Sequence, residues 1–259
     1  MIGLFDSGIG GLTVVRALLE KAPQADFVYL GDTARTPYGN KSQETVQRYA
    51  LEDADYVIRH GAKIVIVACN TASALALPKL QETYPDIPFI GVVKPAAQAV
   101  VALDVKRAGV IGTKATVNSE IYDKVIHKYS PSVKVLQKAC PLFVPLVEEG
   151  LLSDKVTKIM IRRYLTPLRQ ANVQALILGC THYPFLKAQI QRFMGKKVKV
   201  IDSAGTVIYQ AMQEFPDLFT AKAKPKQIIA LTDTSESSDR LASRWLGRPV
   251  KAVRAELQN

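Results

Sequence analysis

Ile64-Val65-Ile66-Val67-Ala68-Cys69-Asn70-Thr71-Ala72-Ser73 decides the fold class of this chain. Its apolar run is too short for an independent helix and lies between turn signals, which predicts a buried strand. Ala175-Leu176-Ile177-Leu178-Gly179-Cys180-Thr181-His182-Tyr183 repeats the arrangement: apolar run, small residue, cysteine, then small or polar residues opening a predicted helix. Both cysteines are thus expected at the carboxyl ends of parallel strands, where open α/β sheets bind their ligands.

Outward from these two stretches, strand and helix patterns alternate. Strands are predicted at Ile2 to Phe5, Phe27 to Leu30, Phe89 to Val92, Gly109 to Ile111, Val133 to Leu136, Val198 to Ile201, Ile228 to Thr232 and around Val250. Between them lie helical patterns, among them Leu12 to Leu19, Ser42 to His60 with Gly61 as C-cap, a helix through Leu80, Asp154 to about Gln170, and Ser238 to Leu246. Such alternation implies α/β architecture with mainly parallel sheets flanked by helices. Lys94-Pro95 is a natural crossing point into a second unit. No linker-like segment separates two beads, so a second domain is expected as an insertion in the first.

Composition narrows the class further. A chain of 259 residues with 48% hydrophobic content buries a sizeable core. Cys69, Cys140 and Cys180 form neither a C-x-x-C pair nor an even framework, which fits free thiols in a reducing cytosol. The opening M-I-G-L-F-D-S-G has no basic leader, and the apolar runs are broken well short of a membrane span. A soluble cytoplasmic protein without membrane association is expected. The net charge of +11 is spread along the chain, without a basic arm or an aromatic RNA-binding motif. It reads as solvated surface, and no nucleic-acid partner is expected.

A lone buried cysteine is usually a small core hydrophobe, and Cys140 in A-C-P reads that way. Cys69 and Cys180 differ because they share one context. A thiol near a helix N-terminus meets free backbone N–H groups and a favourable dipole, so each is a candidate base or nucleophile. His182, two residues after Cys180, can hydrogen-bond that thiol or a ligand, whereas His60 and His127 read as structural. Cys69, Cys180 and His182 also form a conceivable soft metal set. No tight ligand cluster elsewhere supports it, and no metal is expected. The turn Gly8-x-Gly10-Gly11 lacks the spacing of a dinucleotide fingerprint or a P-loop. Asp6 before it would repel phosphate but could position an ammonium group or assist a proton transfer.

Five segments together carry a resemblance: F-D-S-G-I-G-G-L-T-V from Phe5, G-D-T-A-R-T-P-Y-G-N-K-S from Gly31, A-C-N-T-A-S from Ala68, V-E-E-G from Val147 and L-G-C-T-H-Y-P from Leu178. In their order and content the chain resembles the glutamate racemases, cofactor-independent enzymes of the aspartate/glutamate racemase superfamily that make D-glutamate for peptidoglycan. The resemblance implies two pseudo-symmetric α/β domains with the active site in the interdomain cleft. Residues 1–94 plus 207–259 would form the first domain and 95–206 the inserted second. Cys69 and Cys180 would be the acid/base thiols, the first taking the proton from the D-isomer and the second from the L-isomer. Asp6, His182 and Glu148 would assist them. Substrate binding would fall to Asp6, Ser7, Tyr38, Gly39, Asn70, Thr71, Thr181 and His182. Glutamate is the implied small-molecule partner, no cofactor is needed, and a homodimer is compatible with the family. Glu120 departs from the family, which commonly has glycine there.

Overall fold

Parallel strands buried on both faces read as unbroken apolar runs, and both cysteine-bearing runs take that position in the computed structural model, which describes residues 1–257. The chain divides into two compact units, one formed by Met1–Val92 with the segment from Ala204 onward, the other by Val93–Ser203.

In the first unit β1 (Ile2–Asp6), α1 (Leu12–Lys21), β2 (Phe27–Gly31), α2 (Gln43–Arg59), β3 (Ile64–Val67), α3 (Asn70–Leu75), α4 (Leu77–Thr83) and β4 (Phe89–Gly91) follow one another. The second unit holds α5 (Val93–Val101), β5 (Arg107–Gly112), α6 (Lys114–Asn118), α7 (Ile121–Tyr129), β6 (Lys134–Ala139) and α8 (Phe143–Glu148). It continues with α9 (Lys155–Gln170), β7 (Ala175–Gly179), α10 (Lys187–Met194) and β8 (Lys199–Asp202). The chain returns through α11 (Ser203–Glu214) to β9 (Gln227–Leu231), α12 (Glu236–Leu246) and β10 (Val253–Arg254) of the first unit.

The first sheet runs β10-β9-β2-β1-β3-β4 and the second β6-β5-β7-β8, and every pairing is parallel. Every residue of β1, β2, β3 and β7 is buried. The order β2-β1-β3-β4 in one unit is matched by β6-β5-β7-β8 in the other, so each contains the same four-strand winding. Among the described residues no helix is long and apolar enough to cross a membrane.

Local chemistry sets the boundaries. Ser42 caps α2 by accepting from the Thr45 N–H, and Gly61 follows its end at φ +94°. The helix expected through Leu80 is two helices, because Pro78 lacks the N–H that would continue the first. The strand expected around Val250 lies at Val253–Arg254, a two-residue edge. Two short helices, α6 and α8, occupy stretches that carry no helical prediction. Glu120, at the N-cap of α7, has φ +56°, the left-handed region that glycine occupies without strain. That is the physical reason for a glycine preference at this position.

Candidate active site

In the first unit the chain leaves β1 for β2 on one side and later for β3 on the other. Loops at the carboxyl ends diverge there and leave the crevice in which open sheets bind ligands. Asp6 ends β1, and Cys69 follows β3 by two residues. In the second unit the same switch lies between β5 and β7, and Cys180 follows β7 directly. Each cysteine therefore succeeds the third strand of its own four-strand winding.

Cys69 is the N-cap of α3. Its sulfur accepts from the Ala72 N–H at 3.5 Å and lies 3.6 Å from Ser7 Oγ. Asn70, Thr71 and Ser73 follow it, all buried. Ser73 Oγ donates to Val67 O at 2.8 Å and accepts from the Val92 N–H, clipping the helix to β3 and to the end of β4. Asp6 is fully buried, and its Oδ2 accepts from the Gly8 N–H at 3.2 Å.

The glycine-rich turn is built for close approach between chain segments. A Cβ at Gly11 would fall 2.5 Å from that of Asp6 and 2.9 Å from the Tyr29 ring. One at Gly31 would meet the Gly8 carbonyl at 2.5 Å. The Tyr29 hydroxyl donates to that same carbonyl. The turn thus packs tightly against β2, which holds Asp6 and Ser7 in place.

Tyr38 and Gly39 lie buried in the 3-10 turn Tyr38–Asn40. The Tyr38 hydroxyl is turned away into a polar network, 2.5 Å from Asp32 Oδ2 and 2.8 Å from Asp53 Oδ2. Arg35 joins it with Nε 2.6 Å from Asp32 and a terminal nitrogen 3.1 Å from Asp53, and it also pairs with Glu52. One phenolic proton serves one carboxylate at a time. Burial, then the Asp32 charge, raises the Asp53 pKa well above the usual carboxylate range. What Tyr38 and Gly39 can offer a ligand is therefore backbone. Sequence reasoning missed this network, although Asp53 interrupts the apolar stripe Val46-Ala50-Ala54-Val57 of α2.

In the second unit a tyrosine organises the turn after β7. The Tyr183 hydroxyl lies 3.0 Å from Gly112 O and 2.8 Å from Cys140 O, tying the turn to the ends of β5 and β6. Phe143 of α8 packs edge-on against the Tyr183 ring at 5.3 Å, and this seats the helix that carries Glu148. Glu148 Oε1 then lies 3.0 Å from His182 Nε2. On the other side of the ring, His182 Nδ1 is 3.9 Å from Cys180 Sγ and 3.4 Å from Thr181 Oγ1. Burial opposes the imidazolium, but hydrogen bonds and charge from Cys180 and Glu148 outweigh it and push His182 up to about 10. Cys180 opens onto the 3-10 turn Tyr183–Leu186, with α10 only after it, so its setting is the histidine more than a helix end.

The remaining candidates sit elsewhere. Cys140 is fully buried, and burial pushes its thiol up, as suits a core residue. His60 stacks on Tyr56, and His127 lies between Asp123 and the Val133 carbonyl. Among the described residues no three His, Cys, Asp or Glu side chains gather as they would around a metal ion.

The parallel α/β fold places one cysteine after the third strand of each winding, and one of them is backed by a histidine–glutamate pair. Residues 10–211 match the family model for Asp/Glu/Hydantoin racemase, and the chain belongs to that family of isomerases. Within it the particular relatives are glutamate racemases. The protein of Geobacter metallireducens is 51% identical over 204 residues, covering 78% of this chain and 75% of the relative. That of Persephonella marina is 45% identical over 258 residues, 99% of this chain and 97% of the relative. The crystal structure of a Bacillus anthracis glutamate racemase isoform matches with TM-score 0.95 at 35% identity, covering 99% of this chain and 97% of that one. The Francisella tularensis glutamate racemase, solved in complex with D-glutamate, matches with TM-score 0.90 at 37% identity, covering 100% and 97%.

Proposed function

We propose that this chain interconverts L- and D-glutamate without a cofactor by two-base proton transfer at Cα, and so supplies D-glutamate for peptidoglycan. The observation that carries the reading is the pair of equivalently placed thiols, each with its own polar partner, in a chain whose relatives are glutamate racemases. Racemisation removes a proton from one face of Cα and returns one to the other. A single side chain cannot easily serve both faces, so two groups share the task.

From L-glutamate, the Cys180 thiolate takes the α-proton and the Cys69 thiol delivers its own to the opposite face. The enzyme is left with a Cys180 thiol and a Cys69 thiolate, the state that starts the reverse reaction. His182, protonated at neutral pH by the influence of Glu148 and Cys180, keeps a positive donor beside the sulfur. The Ala72 N–H is the matching donor for Cys69. Asp6 assists at the Cys69 side. Ser7, Asn70, Thr71 and Thr181, with the backbone of Tyr38 and Gly39, supply donors for the substrate's carboxylates and acceptors for its ammonium group.

Incubation with L-glutamate in D₂O tests the scheme. D-glutamate formed first should carry deuterium at Cα while remaining L-glutamate stays largely protonated. Equal early labelling of both would sink it. Cys69→Ala and Cys180→Ala should each lose racemisation roughly a hundredfold or more while staying folded.

A further inference from the structure

Part of the chain's positive charge is gathered in one place that the proposed reaction does not use. In the second unit α9 and α10 pack against each other and border a groove of about 740 Å³. Lys158, Arg162 and Arg169 enter it from α9, and Arg192 from α10. Among the described residues no carboxylate lines the groove and none of the four cations stands in an ion pair. The Arg169 guanidinium lies 5.2 Å over the Phe193 ring, which forms an apolar wall. Gln189 also lines the groove. Its Nε2 donates to Ser153 Oγ at 2.8 Å, while its Oε1 is buried with no hydrogen-bond partner in the protein.

We propose that this groove binds the oligophosphate group of a small molecule. Along α9 the three cations are spaced by four and seven residues, so they line one helix face over about 16 Å at a rise of roughly 1.5 Å per residue. That span exceeds a single phosphate, and long cationic side chains converging from it can meet the successive phosphoryl groups of a shorter chain of two or three. Guanidinium forks match phosphate oxygens in pairs, and three of the four cations are arginines. The volume lies within the range of small-molecule sites, roughly 300–1,000 Å³. Phe193 gives such a ligand an apolar face. The charges read as dispersed in sequence because helical spacing, not adjacency, brings them together.

Calorimetric titration of the full chain with sodium triphosphate at about 0.1 M salt tests this. The expected result is saturable one-to-one binding, weakened at least about tenfold in the R162E/R169E double variant. The K222E/K224E variant changes net charge equally at another site and should bind as the unmodified chain does. Should R162E/R169E melt early by circular dichroism, Arg192→Gln on α10 replaces it, with weaker binding again expected. No saturable binding, equal loss in K222E/K224E, or tighter binding of an oligoglutamate peptide would each overturn the proposal. The readout is binding, so it is independent of whether the chain racemises glutamate.

Discussion

A buried histidine carries charge only where neighbours outweigh the cost of its desolvation, and His182 meets that condition through Glu148 and Cys180. Its folded pKa of about 10 lies above the ordinary value of 6.5, so proton binding favours the folded state. The contribution is complete below the unfolded value, declines as pH rises, and is gone once pH passes the folded value. Urea unfolding of the unmodified chain and of His182→Asn should therefore differ most near pH 6, roughly, and converge toward about pH 10. A constant gap across that range would show that His182 is not held protonated. Cys69, Cys180, Asp6 and His182 were legible as candidates because strand–cysteine–polar patterns mark the carboxyl edge of a parallel sheet, where open sheets bind ligands. Asp32, Arg35, Glu52 and Asp53 were not, since those charges meet only after β2, its following loop and α2 have docked.

Elements were legible where burial imposed a period. The all-buried strands appear in sequence as apolar runs, and α2 and α9 as long amphipathic patterns with Ser42 and Asp154 as caps. Short pieces such as α6, α8 and β10 have too few residues to show a period, and tertiary packing decides them. Glu120 shows the same limit at a cap. Its left-handed backbone costs a side-chain-bearing residue roughly 1–2 kcal/mol, against which the extra chain entropy of glycine sets about 0.5–1 kcal/mol. Glu120→Gly should therefore stabilise the chain by about 0.5–1 kcal/mol, or roughly 1–4 °C in Tm. A lower Tm would mean that contacts of the Glu120 side chain outweigh the backbone strain.

At the scale of the whole molecule, the two units differ in how the chain builds them. The second is one continuous stretch whose sheet, β6-β5-β7-β8, and core cluster around Val110, Tyr122 and Ile177 need nothing from outside it. The first is completed from far along the chain. β9 pairs with β2 from Phe27↔Gln227 to Gly31↔Leu231, and α12 packs on α1. Thr232 Oγ1 donates to Asp32 Oδ1 at 2.9 Å and accepts from the Ala34 N–H, so the late segment also completes the network around Tyr38. Removing everything after Ser203 would strip β2 of its β9 partner, leaving it paired with β1 alone and a fully buried strand as an open edge. Residues 1–203 should then aggregate, or show only the unfolding transition of the second unit. Residues 93–203 alone should unfold cooperatively, because all their strand pairings are internal. Size-exclusion chromatography and urea unfolding of both fragments decide this. A soluble 1–203 fragment with a second, intact transition would mean that β1 to β4 form a stable unit without β9, and that the late segment is an addition to the first unit rather than part of its frame.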